Sequence, residues 1–451
     1  VAAARRHDTP FLVAGPECSD LMTPYPKSIL FVVTLSLAAC QREAEANKGN
    51  TPSGVTAGAA GEAKPALADE PIAGYQRELL QLAFDAASKF PSDPHSKNRG
   101  RAQDLVVAAS LRLQQPLLAL HFAPDVEGWR RGVAFADVAW CAAKAGDDKR
   151  ARSLVKLARR VLQEQVGDAN AQQWRADKIR VKIARALATL GDDAKSRDEL
   201  GKVAPDSTGA VDAGWTMTLA DRVKAMTREE AGAELQRITD TFLAQALGEQ
   251  FTSLMLLSGI HGQFFGDEKL RAELEERLFV RFHKLPTKLR LDAIAPLVGH
   301  YVDNGDRNGG RDIIVKMTEL MSQFQFRTEE RIPLLARIGE LRKKCGDEGR
   351  AQEEFVAALK DYHESRDALV NIYRCETLRP LALAWHAFGD AERANDLVAL
   401  ALEESQENPN SRPRCDDLVE TCIALAEHEL EPSAELWQRM REISEGLSTP
   451  W

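Results

Sequence analysis

The sequence predicts an all-α fold, an α-solenoid of helical hairpins with a period of about 40 residues. Apolar residues recur at spacings of three and four, as in Leu79, Leu80, Ala83 and Phe84, and Val/Ile/Thr-rich alternating runs are missing. A Gly-Asp pair returns at Gly146-Asp147, Gly191-Asp192, Gly266-Asp267, Gly305-Asp306, Gly346-Asp347 and Gly389-Asp390. Small residues keep fixed distances from those pairs. At 451 residues the chain exceeds what one compact core usually fills, so two domains or a repeat array is expected. A net charge of -9 disfavours a nucleic-acid partner, and aromatics at 6% give few stacking platforms for sugars or bases.

In chain order, residues 1–21 read as a non-native upstream extension, because Met22 would give a signal peptide its usual short start. Residues 22–39 read as the signal peptide itself. Lys27 precedes an apolar run from Ile29 to Ala39, too short to span a bilayer. The run ends in Leu37-Ala38-Ala39-Cys40, which resembles the bacterial lipobox. That resemblance implies acylation of Cys40, with chains enough for stable anchoring to a membrane. Gln41 follows, where an aspartate would imply inner-membrane retention, so the resemblance implies an outer-membrane lipoprotein facing the periplasm. From the lipidated Cys40 to residue 73 the chain is rich in Ala, Gly, Glu and Pro, with Val55, Leu67 and Ile72 its large aliphatics, and it reads as a disordered tether. Such a tether reaches roughly 30 Å.

Residues 74–125, interrupted by Pro91, Pro94, Pro116 and Pro124, are expected to form an irregular helical N-terminal cap. The repeat body occupies 126–447. At each Gly-Asp pair, Gly supplies the left-handed residue that ends one helix and Asp caps the amides that begin the next. The spacings are 45, 75, 39, 41 and 43, so the gap of 75 hides one turn, placed at Met226-Thr227-Arg228. Laying Leu381–His386 on Ile423–His428 places a last turn at Glu431-Pro432.

Seven residues before the glycines stand Ala139, Ala184, Gly259, Val298, Gly339 and Ala382, where helices can cross closely. Five residues after them stand Ala151, Ser196, Arg271, Gly310, Ala351 and Ala394. Val138, Ile183, Leu297, Ile338 and Leu381, eight before, supply core aliphatics, with Ser258 the exception. This pattern resembles the tetratricopeptide repeat over roughly residues 126–447, with a longer period and mostly aliphatic residues at the family's aromatic positions.

The resemblance implies that first helices line a concave face, into which positions six, three and two before the turn glycine project. Here these are Trp140, Lys144, Arg185, Thr189, Gln263, Asp303, Glu340, Lys343, Lys344 and His386, with His428 by the last alignment. They are the candidate partner-binding residues, and Trp and Arg are the expected hot spots.

Catalytic signatures such as H-E-x-x-H, G-x-S-x-G, C-x-x-C and the phosphate-binding glycine loop are missing, so no catalytic residue, metal or cofactor is assigned. Of nine histidines, His386 and His428 occupy equivalent repeat positions and read as a solvent-facing pair. Asn304–Gly309 follows the start of a calcium loop, but Val315 stands where its bidentate Glu belongs, so it reads as a polar turn. With Cys18 and Cys40 set aside, five cysteines remain. Cys141 reads as a core residue, and Cys375 and Cys415, 40 apart on successive first helices, are the candidate disulfide.

The expected function is that of a membrane-anchored scaffold binding a protein or peptide of the cell envelope. The alternative is a polysaccharide-active enzyme, because helical hairpins also close into α/α toroids. It would need paired carboxylates about 5–10 Å apart.

Overall fold

The computed structural model describes residues 66–167, 172–204, 223–245, 247–282 and 285–451. All belong to the second of the chain's two units, Ser53–Trp451. The signal peptide, the lipobox and most of the tether lie outside the described residues, as does the chain just before the turn near residue 226. The described residues form helices and no strand. None of these helices is long and apolar enough to cross a membrane.

Three helices come first: α1 (Gly74–Ser88), α2 (Ser92–Arg112) and α3 (Pro116–Phe122). Hairpins α4 (Arg130–Lys144) with α5 (Asp148–Gly167), and α6 (Gln173–Thr189) with α7 (Asp193–Leu200), follow. Then come α8 (Arg228–Thr241), α9 (Leu247–Gln263) with α10 (Glu268–Glu276), and α11 (Thr287–Asp303) with α12 (Arg307–Ser322). Last are α13 (Thr328–Lys344) with α14 (Glu348–Ser365), α15 (Asn371–Phe388) with α16 (Ala391–Gln406), and α17 (Ser411–Glu427) with α18 (Ala434–Glu445).

The turns form as their residues dictate. Gly146, Gly191, Gly305, Gly346 and Gly389 all have φ between 74° and 107°, the left-handed region open to glycine. Each following Asp amide donates back across the helix end, as Asp147 does to Ala142 O at 2.9 Å and Asp306 to Tyr301 O at 2.9 Å. At three of these turns the Asp side chain also caps the next helix: Asp147 accepts from Arg150 N at 3.1 Å, Asp306 from Gly309 N at 2.8 Å and Asp390 from Arg393 N at 3.0 Å, whereas Asp192 and Asp347 make no side-chain cap. The Asn304–Gly309 loop thus spends its Asp on a helix cap. Gly266 is absent from the positive-φ glycines, although Asp267 still caps Leu270 N at 2.9 Å. At the hidden turn Thr227 makes a capping box with Glu230, accepting its amide at 3.3 Å while Glu230 accepts the Thr227 amide at 2.8 Å. The last turn falls earlier than its alignment placed it, since Glu429 holds the positive φ of 57°.

Both small registers lie where helices cross. Ala139, Ala184, Val298 and Ala382 are buried, as are Ala151, Ala351 and Ala394. The two registers meet directly at one hairpin, where the Ser196 hydroxyl donates to Ala184 O at 2.8 Å. A Cβ on Gly339 would lie 2.2 Å from the Phe355 ring, and one on Gly310 2.8 Å from Cys345 Sγ. Arg271 departs from the small register because its guanidinium reaches Phe265 O at 2.7 Å and lies over the Phe265 ring.

Two expectations are corrected. Residues 74–125 are not a terminal cap but one side of a seam. Gln76 Nε2 donates to Ala426 O at 2.7 Å and Cys415 Sγ to Ala86 O at 3.3 Å, so α1 runs antiparallel to α17. Arg101 pairs with Asp416 at 3.0 Å and Arg112 with Glu427 at 2.6 Å, so α2 runs parallel to α17 as one first helix does to the next. The Phe90 and Trp451 rings pack in a tilted arrangement with centroids 4.9 Å apart, and Lys89 Nζ donates to Ser444 O at 2.6 Å. The N-terminal helix therefore fills the second-helix place beside α17, and the array's two ends pack together. The far end of the tether is also ordered. Leu67 is buried, and Asp69 accepts the Leu117 amide at 2.7 Å.

Candidate functional site

Successive first helices are joined by ion pairs on one face. Asp104 of α2 meets Arg130 of α4 at 3.5 Å, and Asp137 of α4 meets Lys182 of α6 at 2.9 Å. Asp292 of α11 meets Arg337 of α13 at 2.6 Å, and Glu420 of α17 meets Arg379 of α15 at 2.5 Å. The pairs Arg101–Asp416 and Arg112–Glu427 carry the pattern across the seam. They cross from one first helix to the next, at separations of 41 to 45 residues within the repeats and 26 from α2 to α4, and so help to set the register of the array. Removing Arg337 or Arg112 leaves a buried carboxylate, Asp292 or Glu427, without its cation.

The cost of holding charge here is visible in the carboxylates. Burial pushes Asp104 up to about 6 against the opposing pull of Arg130. Burial likewise raises Asp292, Asp416, Glu340 and Glu427 above their ordinary values, each partly offset by its nearby cations. Asp417, turned away from this face to accept from Ser405 Oγ at 2.6 Å, is pushed by burial up to about 7.

The structure divides the predicted partner-binding residues into two sets. Trp140, Lys144, Arg185 and Thr189 come together: the Arg185 guanidinium lies 3.1 Å from the Trp140 ring centroid and Lys144 Nζ 4.7 Å from it. Thr189 Oγ1 donates to Arg185 O at 3.1 Å, and Arg185 also lies 3.8 Å from Asp137. Trp140 is half-buried, and its ring meets Lys144 of its own helix and Arg185 of the next first helix. Glu340 lies near Lys344 and Arg337, both of which lower its pKa against burial, while Gln263 and Asp303 are exposed at the ends of α9 and α11.

Lys343 and His386, each three residues before its turn glycine, behave otherwise. Lys343 Nζ donates to Ala387 O, at the end of α15, and lies over the Phe388 ring. His386 Nε2 lies 3.0 Å from His428 O, at the end of α17. Both side chains satisfy carbonyls at the C-terminus of the next first helix. The solvent-facing pair expected of His386 and His428 is therefore replaced by a half-buried contact from a ring to a backbone oxygen.

The proposed disulfide is also corrected, since Cys375 and Cys415 are free thiols. Cys375 Sγ faces Thr421 Oγ1 at 3.9 Å, nearly two helical turns beyond Cys415 on α17, and Cys415 Sγ faces Ala86 O across the seam. Burial drives both thiols well above their ordinary pKa.

One cluster escaped sequence reasoning. His261 and His300 each stand five residues before their turn glycine, and their Nδ1 atoms lie 3.1 Å apart, with Glu275 and Tyr301 beside them. Equal offsets from Gly266 and Gly305 were the signal that could have found them. Among the described residues no cluster of His, Cys, Asp and Glu has the arrangement of a metal site.

These features define an all-α helical-repeat protein, with a charged first-helix face and ends that meet. No family model matches the sequence, and no curated protein matches it. Among solved structures it is similar to one described as a circular tandem repeat protein with novel repeat topology and enhanced subunit contact surfaces. That match has 15% identity over 82% of this chain and 94% of the other, with a TM-score of 0.16. The fold described above rests on this chain's own helices and turns.

Proposed function

We propose that this chain is an envelope lipoprotein, anchored through Cys40, that works as a non-enzymatic scaffold and holds a protein or peptide on its first-helix face. The observation that carries the binding half is the Trp140–Arg185–Lys144 stack. It places a large aromatic and an arginine together on a face otherwise rich in charge. Tryptophan and arginine dominate binding energy at protein interfaces, and surrounding charges steer encounter more than they fix affinity. The anchoring half rests on the lipobox-like Leu37-Ala38-Ala39-Cys40 and on the outer-membrane address that Gln41 suggests.

The packing of the helical array's two ends favours the toroidal topology that the enzyme alternative requires. A glycosidase would need a carboxyl pair about 5–10 Å apart poised for acid and base work. The carboxylates Asp104, Asp137, Asp292, Asp416, Glu420 and Glu427 are each engaged by a cation instead.

Crosslinked pull-down with wild type and the double variant Trp140→Ala/Arg185→Glu tests the binding reading. It expects the partner to be lost while circular dichroism shows a folded chain. Unchanged recovery by the folded variant would remove this face from the account. Cys40→Ser tests the anchor, which expects loss of palmitate incorporation and of membrane fractionation. Persistence of both would defeat it.

A further inference from the structure

His261 on α9 and His300 on α11 bring two imidazoles face to face near the ends of neighbouring first helices. Their ring centroids are 5.3 Å apart, their planes are inclined by 27°, and their Nδ1 atoms are 3.1 Å apart. His261 is fully buried. Its other nitrogen, Nε2, lies 3.4 Å from Glu275 Oε1 on α10, and the same oxygen accepts the Tyr301 hydroxyl. Lys316 Nζ of α12 stands 3.5 Å from Glu275 Oε2. Two glycines make room for the cluster. A Cβ at Gly262 would come within 2.7 Å of His300 Nε2, and one at Gly309 within 2.3 Å of the Tyr301 ring.

Proton counting limits what this arrangement can hold. Burial alone would raise the Glu275 pKa, but hydrogen bonds from His261 and Tyr301 outweigh it and hold the carboxyl below its ordinary value. An ionised Glu275 only accepts, so His261 Nε2 carries a hydrogen. The contact between the rings then needs one Nδ1–H and one Nδ1 lone pair. A single added proton is shared by the pair. A second makes both rings cations, with two N–H groups opposed at 3.1 Å between a fully buried His261 and a half-buried His300.

We propose that His261 and His300 form an acid-labile latch between α9 and α11, closed while the pair holds at most one imidazolium and opened by the second proton. Among the described residues, the groups facing it come from three helices. From α10 come Glu275 and Arg271, the latter 5.6 Å from the Tyr301 centroid. From α12 comes Lys316, and Asp306, which caps that helix, acts on Tyr301. Helix α13 meets α11 through Arg337 and Asp292, eight residues before His300. Burial, reinforced by His261, lowers His300 to about 3, in keeping with expulsion of that second proton. A histidine pKa depressed on folding costs stability as pH falls through its unfolded value of about 6.5, and the loss is complete near the folded value. The latch is a property of the fold and does not depend on the partner reading.

Hydrogen exchange on the full chain tests it, read as protection factors so that the intrinsic pH dependence of exchange is removed. Between pH 7.5 and pH 5.0, protection over residues 257–263 and 297–303 is expected to fall about thirtyfold, from one histidine titrating near 6.5 when open and near 3 when closed. His300→Gln, which keeps a donor and an acceptor but does not titrate, is expected to abolish that fall. Should His300→Gln not fold, imidazole nitrogen spectra of the wild type decide, with His300 expected to remain neutral at pH 5.0. Unchanged wild-type protection, an equal acid response in folded His300→Gln, or two imidazolium signals at pH 5.0 would overturn the latch.

Discussion

Gly339→Ala probes the crossing of α13 and α14 with a single methyl group. The new Cβ would sit 2.2 Å from the nearest carbon of the Phe355 ring and within 2.9 Å of two more. Ordinary carbon contacts are about 3.5–4.0 Å, so the ring must move by over an ångström. It has little freedom to do so. Phe355 is fully buried, with Trp385 at 5.2 Å and Phe388 at 6.0 Å between ring centroids. Overpacking costs about 1–3 kcal/mol, and replacing a helical glycine with alanine returns about 1 kcal/mol of helix propensity. The tight site puts the cost at the upper end, so a net loss of about 1–2 kcal/mol is expected from urea denaturation followed by circular dichroism. Gly349→Ala is the matched control. That helical glycine has nothing within 4 Å of its built Cβ, so a gain of about 0.4–1 kcal/mol is expected. If Gly339→Ala proved as stable as wild type while Gly349→Ala behaved as stated, the crossing would be misplaced.

Ala382 occupies the same register as Gly339, and Ala382→Leu is expected to cost about 1–3 kcal/mol, whereas Ala68→Leu at an exposed site should leave the melting temperature alone. Asp417 has a folded pKa raised to about 7, so its carboxyl favours folding more as pH falls from there toward its unfolded value near 4. Asp417→Asn should therefore flatten the dependence of stability on pH between 5 and 7 by up to about 1.4 kcal/mol per pH unit. Identical slopes for the two chains in urea titrations would argue against that assignment. Cys375 and Cys415, buried and shifted upward, should resist maleimide until the chain unfolds, and rapid native labelling of either would contradict their packing.

The hairpins were legible because turn chemistry is local. A glycine takes the left-handed residue, the next Asp caps, and both lie within a few positions of each other. The small registers were legible for a related reason, since Ala184 and Ser196 sit only 12 residues apart and touch through one hydrogen bond. The seam was not legible. Gln76 finds Ala426 across 350 residues, and no local pattern in α1 says that it completes the far end of the array. Leu67 was hidden by its neighbours, because a polar, Gly-rich stretch masks a buried aliphatic. The binding face was half legible. Positions six and two before the turn gather Trp140, Arg185 and Lys144, while at position three Lys343 and His386 turn to the carbonyls ending the next first helix and Gln263 stays exposed.

The meeting of the array's two ends is tested most directly by the distance between α1 and α18. Glu78 and Arg441 are 65% and 60% exposed, yet their charged groups come within 4.0 Å of each other. Spin labels can be placed at Glu78→Cys and Arg441→Cys in a chain lacking residues 1–40, with Cys141→Ala so that the remaining thiols are the buried ones. Double electron–electron resonance should then give a single distance distribution centred below about 30 Å, allowing about 10 Å per label beyond the width of one helix. An open array would separate these sites by seven steps of about 10 Å between the described first helices, or about 70 Å. A distribution near that longer distance would contradict the seam, and with it the assignment of α1 as the partner of α17.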